Sequence, residues 1–172
     1  VAKAPWEDRA VRAGARDYAL AQLERHAPVA AWVVDDTAIP KKGKHSVGVV
    51  RQYCGVLGKQ ENCQVAVSVS LVNKTMSVPA AWCLYLPDEW ARDPKRRGLA
   101  GIPRDVGFLA KWRMALEEIE ALLAEDLPPA PVVADAAYGD TTEFREGLTA
   151  RGVSYVLGIK GEVNCAILAA VL

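Results

Sequence analysis

The chain predicts a mixed α/β fold, and three patterns carry that expectation. Residues 30–37 and 131–135 are short apolar runs bounded by turn residues, as in strands covered on both faces. From Cys63 to Leu71, apolar Val65, Val67, Val69 and Leu71 alternate with Gln64, Ala66, Ser68 and Ser70, the period of a strand. Residues 108–125 instead place Leu109, Trp112, Leu116, Ile119 and Leu123 at three- and four-residue spacing, one face of a helix. Together these predict a mixed five-stranded sheet, a three-strand meander and then βα units, flanked by helices.

The elements follow in order. Residues 6–26 read as a helix started by Pro5, with Val11, Ala15, Tyr18 and Ala19 as a loose apolar stripe. Residues 1–28 are expected to form an N-terminal helical segment and 29–172 the core. The first strand spans 30–37. Ile39 to Gly58, rich in Gly and Lys, reads as an extended hairpin arm. The second strand spans 63–71, and Asn73-Lys74 makes the turn. A third strand over 78–86 is expected to put Val78, Ala80, Trp82, Leu84 and Leu86 on one face. Residues 87–107 carry charges, three prolines and three glycines and read as a surface loop. Leu127-Pro128-Pro129 ends the helix over 108–125. The fourth strand spans 131–135. Asp140, with Glu143 three residues on, is expected to cap a helix that stops near Arg151-Gly152. Val153 to Ile159 is the fifth strand, and an apolar tail follows over 163–172.

Composition narrows the function. Half of the 172 residues are hydrophobic (51%), and 21 basic residues balance 21 acidic ones, a globular chain rather than a disordered one. Zero net charge is silent on nucleic acid, which reads local patches. The apolar stretches are too short for a bilayer and the N-terminus lacks a secretory pattern, so a cytoplasmic protein without a membrane partner is expected. Cys54, Cys63, Cys83 and Cys165 show no Cys-x-x-Cys spacing, and His26 and His45 are the only histidines. The cysteines read as reduced, small hydrophobes rather than zinc ligands or nucleophiles.

The chemistry concentrates at two strand ends. Ala31-Trp32-Val33-Val34-Asp35-Asp36-Thr37 and Pro131-Val132-Val133-Ala134-Asp135 each run from apolar residues straight into carboxylates. An acid at such a place costs desolvation and self-repulsion unless something positive meets it. A crossover helix between the third and fourth strands can lay the fourth beside the first, parallel to it. That brings Asp36 and Asp135 to one carboxyl edge, as a shared site for divalent magnesium or manganese. Strand side chains alternate, so only one of Asp35 and Asp36 faces the shared edge. Asp36 is favoured, with Asp35 and Thr37 as neighbouring or alternate residues.

Lys41, Lys42, Lys44, His45 and Arg51 follow Asp36, with no acidic residue from 38 to 60. They form either a solvated hairpin or a cradle for a phosphate backbone. Lys160, just past the fifth strand, is a solvated residue or a further phosphate contact. Tyr138 either packs or lines the site. An aspartyl-phosphate phosphatase is the weaker enzymatic reading, because its second carboxylate is expected two residues from the nucleophile, and Asp35 and Asp36 are adjacent.

Longer blocks carry a resemblance. Asp35-Asp36-Thr37-Ala38-Ile39-Pro40-Lys41-Lys42-Gly43-Lys44-His45-Ser46-Val47-Gly48-Val49 resembles the first catalytic block of bacterial insertion-sequence transposases of the DDE superfamily. Arg51-Gln52-Tyr53-Cys54-Gly55, the stretch from Gln60 to Ser68, Leu84-Tyr85-Leu86-Pro87 and Glu89-Trp90 resemble the same family's continuation. Val133-Ala134-Asp135-Ala136-Ala137-Tyr138-Gly139-Asp140 resembles its second block. The resemblance implies a ribonuclease-H-like fold and a two-metal endonuclease that cuts transposon ends and joins them to target DNA. It implies Asp36, the Asp immediately before Thr, and Asp135 as catalytic metal ligands. It implies DNA as partner, a homodimer when assembled on DNA, and a bacterial, nucleoid-associated place of action. The family's third acid, a Glu on a later helix, has no matching segment here, and Glu162 lies close to the fifth strand. The expectation is therefore a core incomplete at its C-terminus. The alternative is a remnant that binds DNA or a partner without cleaving.

Overall fold

Apolar runs rich in Val and Trp favour extended chain, and such runs build the centre of the sheet. The computed structural model describes residues 8–161. Its elements are α1 (Asp8–Glu24), β1 (Ala31–Pro40), β2 (Val50–Cys54), β3 (Lys59–Val72), β4 (Ser77–Leu84), α2 (Asp88–Ala91), α3 (Pro94–Ala100), α4 (Lys111–Ala124), β5 (Val132–Ala134), α5 (Ala136–Gly139), α6 (Thr142–Ala150) and β6 (Tyr155–Leu157). A 3₁₀ turn over Gly55–Leu57 joins β2 to β3.

All six strands form one mixed sheet, ordered β2-β3-β1-β5-β6, with β4 also on β3. Cys63 pairs with both Pro40 and Val50, so β2 lies on the edge of β3 away from β1. Strand β4 continues along that edge from Ala66 to Val72. Strands β1, β3 and β4 are thus an antiparallel meander, while β5 runs parallel to β1 and β6 parallel to β5. This is the ribonuclease-H-like arrangement, with β5 beside β1 as the topology predicted. Trp32, Val34, Val67, Val69, Leu71 and Val132 from the sheet meet Leu116, Ile119 and Leu122 of α4 and Phe144 and Leu148 of α6 in one core. Each such side chain contributes roughly 1.5–3 kcal/mol when fully buried. Trp32 Nε1 donates to the Pro128 carbonyl at 3.0 Å, so its polar edge is satisfied inside that core.

Several sequence expectations are corrected. The sheet has six strands, not five: β2 forms within the stretch read as an arm, and β3 starts at Lys59 to pair with it. Residues 87–107 contain α2 and α3, where Asp93 caps α3 through the Arg96 N–H at 2.9 Å. Strand β4 does not keep one apolar face. Its register shifts so that Val69 pairs with Ala81 and Ser70 with Pro79, which leaves Ala80 as an extra residue. A bulge accommodates the missing Pro79 N–H and reverses the phase, so Val78, Ala80 and Ala81 are buried while Trp82 and Leu84 are exposed. In α1, Val11, Ala15 and Tyr18 are exposed; Ala19 packs as expected, and Leu20 and Leu23 complete the stripe. Asp140 does not cap α6, whose N-cap is Thr141. Cys54, Cys63 and Cys83 are free, the first two buried, as small hydrophobes. Trp6, Glu162, Cys165 and the apolar tail lie outside the described residues.

Helix α1 is tied to the end of α4 by one inward-facing charge. The Arg16 side chain is only 9% exposed and meets Glu125 Oε2 at 2.6 Å. An acid at a helix C-terminus opposes the dipole, and the Arg16 bond offsets that. The hydrogen bond from Arg16, then that from Arg9, holds the Glu125 carboxyl below the ordinary range. A depressed carboxyl stabilises the fold above its unfolded pKa and loses that contribution as pH falls through the folded value. Arg16→Met is therefore expected to cost about 1–3 kcal/mol near neutral pH and to flatten the loss of stability on acidification. Urea titrations of both proteins across the acid range check this; parallel pH profiles would contradict it.

Candidate active site

Strand β1 is central, with β3 on one side and β5 on the other, so its carboxyl end is rigidly held. Val34 and Ala134 are the last paired residues of β1 and β5. Asp135 follows one residue beyond that pair and Asp36 two, which brings both acids to the same edge. Alternation sorts the neighbouring carboxylates. Trp32 and Val34 are buried, Asp36 follows them in phase and is half-buried, and Asp35 and Thr37 are exposed.

Asp36 is engaged through both oxygens. Tyr138 Oη donates to Oδ1 at 2.6 Å, and Lys111 Nζ donates to Oδ2 at 2.5 Å. Tyr138 is 3% exposed, and its ring tilts against Phe144 with centroids 5.6 Å apart. The residue therefore both packs and lines the site. Burial first, then the charge and hydrogen bond of Asp36, then the charges of Asp35 and Asp135, push the Tyr138 phenol far above its ordinary range. It stays a protonated donor, and all three carboxylates act on it. Asp35 Oδ1 accepts the Asp36 N–H at 2.7 Å, while Ser68 Oγ donates to the Asp35 carbonyl at 3.2 Å. Asp135 is exposed, and its Oδ1 accepts the Ala137 N–H at 2.9 Å, starting α5.

Tyr138→Phe is expected to keep the Phe144 packing and remove one anchor from Asp36. A loss of about 1–2 kcal/mol of stability should follow. Thermal melts check it; if the melt does not move, the hydroxyl is only filling space.

Lys111 was not singled out by the sequence reading. It stands in the first turn of α4, where a cation opposes the helix dipole. Arg113 in the same turn is met by Glu117 one turn on, whereas the acid that meets Lys111 is Asp36, far away in the sequence.

The other residues of interest spread along the sheet. Lys41 donates its N–H to the Asn62 carbonyl at 2.8 Å, continuing the β1–β3 ladder. Lys42, Lys44 and His45 are exposed in the loop that follows. Arg51 lies 3.9 Å from Glu61 across β2 and β3. That loop also packs against α3: Arg96 stacks over Trp90 at 3.9 Å and reaches the Lys44 carbonyl at 3.4 Å. A cleft of ≈ 380 Å³ lined by Lys44, Arg51, Asn62, Glu89 and Arg96 lies between them. The basic arm thus gains Arg96 from a segment read as a loop. Lys160 Nζ is 3.2 Å from Asp140 Oδ2, and its N–H donates to Asp140 Oδ1 at 2.8 Å. Asp140 therefore fastens the turn after β6 to the end of α5.

The donor set suits a hard cation. Asp36 and Asp135 supply oxygens on a rigid edge, and a carboxylate accepts at about four positions, so Tyr138 and Lys111 do not exhaust Asp36. Among the described residues no group of three or more His, Cys, Asp and Glu side chains is gathered to hold a metal. No helix among them is long and apolar enough to cross a membrane.

Neither a curated protein nor a solved structure matches the chain. A family profile does: that of the DDE superfamily endonuclease matches residues 1–167. With the sheet and the strand order in agreement, the chain belongs to the DDE superfamily endonucleases.

Proposed function

We propose that this chain is a DNA transposase catalytic domain that cuts transposon ends and joins them to target DNA. The observation that carries the reading is the convergence of Asp36 and Asp135 on adjacent parallel strands, at one edge of the sheet. Asp36 and Asp135 are the residues that would hold magnesium or manganese, in a two-metal site. Bound divalent ions would activate water and neutralise charge at the scissile phosphodiester. Tyr138 fixes the orientation of Asp36 through Oδ1. Asp35 orients the backbone of Asp36, and Thr37 borders it.

The basic loop takes the DNA backbone. Lys41 lies five residues beyond Asp36 along β1 and its continuation, about 16 Å at the usual strand rise. Lys41, Lys42, Lys44, His45 and Arg51 are therefore placed to meet phosphates flanking the one being cut. Lys160 extends the same role only by leaving Asp140. The open sheet edge suits a long duplex, which needs a track and not a closed cavity. Assembly as a homodimer on the DNA and a place of action at the bacterial nucleoid belong to the same reading.

A plasmid-nicking assay with magnesium, manganese or a chelator tests the proposal. Nicking that needs the divalent ion is expected. A second reading, a remnant that binds DNA without cutting it, draws on the lack of a three-acid cluster among the described residues. DNA binding without nicking under every metal condition would favour it.

A further inference from the structure

Asp36 is held by two donors of very different mobility. Tyr138, almost wholly buried, is locked between the core and Phe144. The Lys111 side chain is 33% exposed and reaches Asp36 on a flexible stem. The α4 backbone from which it springs is fixed by Met114, Ala115, Leu116 and Ile119 in the core. The stem can therefore swing while its root stays still. Asp36 is the one acid in ion-pair contact with Lys111 among the described residues, and the ammonium also lies 5.3 Å from the centroid of the Tyr85 ring. That ring face offers a cation a second resting place.

We propose that Lys111 is a built-in counter-ion for Asp36 that competes with a divalent cation for the carboxylate oxygen Oδ2. The inference rests on the metal-dependent reading above. In the metal-free protein the ammonium neutralises Asp36 and keeps it correctly turned. On metal loading the ammonium yields Oδ2 and remains beside the site, against Tyr85. Oδ1 stays with Tyr138 throughout. Lys111 is thus a positioning residue that sets the affinity and selectivity for the cation. A partner that binds Asp36 weakly would fail to displace it, whereas a divalent ion carries the charge to do so.

Manganese binding by isothermal titration calorimetry tests this without reference to cleavage. Lys111→Met should bind manganese about tenfold more tightly than wild type. Lys111→Arg keeps the charge and can grip the carboxylate with two N–H groups, so its affinity should equal wild type or fall below it. Asp36→Asn should lose the binding. In NMR, the Lys111 Nζ resonance should shift on addition of magnesium. Equal or weaker binding by Lys111→Met, with the Asp36 dependence intact, would overturn the competition and leave the metal reading standing. No Asp36-dependent binding in any of these proteins would overturn both.

Discussion

Asp36→Asn is expected to reduce DNA cleavage by about 10³-fold or more while leaving the fold intact, because the proposed site would lose one charged metal ligand from a set of groups that act together. The amide keeps an oxygen acceptor for Tyr138 and fits the same space. What disappears is the negative charge and the acceptor of Lys111, whose ammonium swings out to solvent away from the amide NH2. Asp135→Asn should behave alike. Asn is a good N-cap, so the Ala137 N–H keeps its acceptor and only the charge is removed. Asp35→Asn is the informative contrast. Its side chain is exposed and out of phase with Val34, so a fall of no more than roughly tenfold is expected from its hydrogen bond to the Asp36 N–H. Cleavage rates and far-UV spectra of the three variants decide the matter. Loss in Asp35→Asn with retention in Asp36→Asn would reverse the assignment.

Gly139→Ala is expected to be among the most damaging substitutions for stability. A Cβ at this position would stand 1.9 Å from the Gly158 carbonyl oxygen and 2.9 Å from Leu157 Cβ. The first collision is with backbone, so no rotamer relieves it. Strand β6 would have to retreat from α5. The Gly158 N–H donates to the Ala134 carbonyl at 2.9 Å, so the retreat would pull on the strand end that carries Asp135. A cost of roughly 3 kcal/mol or more follows from overpacking against fixed atoms. For a chain of this size that lowers Tm by on the order of 10 °C. Gly43→Ala is the control, because its Cβ would meet nothing within 4 Å. A Gly139→Ala melt within a degree of wild type would show that the α5–β6 contact is not as tight as described.

Much of this architecture is legible in the chain because the central strands are long or wholly apolar. The alternation of β3 and the runs leading into Asp36 and Asp135 leave little choice of structure, and the crossover through α4 places β5 beside β1. Phase and local chemistry are harder to read. Pro79 hides a bulge that turns Trp82 and Leu84 outward. Pro94 and Gly98 disguise α3 as a loop, although Asp93 is a good cap and Pro94 a good first residue. Asp140 followed by Glu143 imitates a capping box, but the carboxylate is drawn to Lys160 instead. The largest omission is Lys111. Its partner lies 75 residues away, so only the misfit of a cation in the first turn of a helix hints at it.

If Asp36 and Asp135 share a divalent cation, as proposed, ferrous ion can take its place. Supplied with ascorbate and hydrogen peroxide, the bound iron releases hydroxyl radical that cuts the backbone beside it. Cuts near 35–37 and near 134–136 are expected together, both suppressed by excess magnesium and by Asp36→Asn. Cuts confined to one of the two segments, or unchanged in Asp36→Asn, would contradict a shared site.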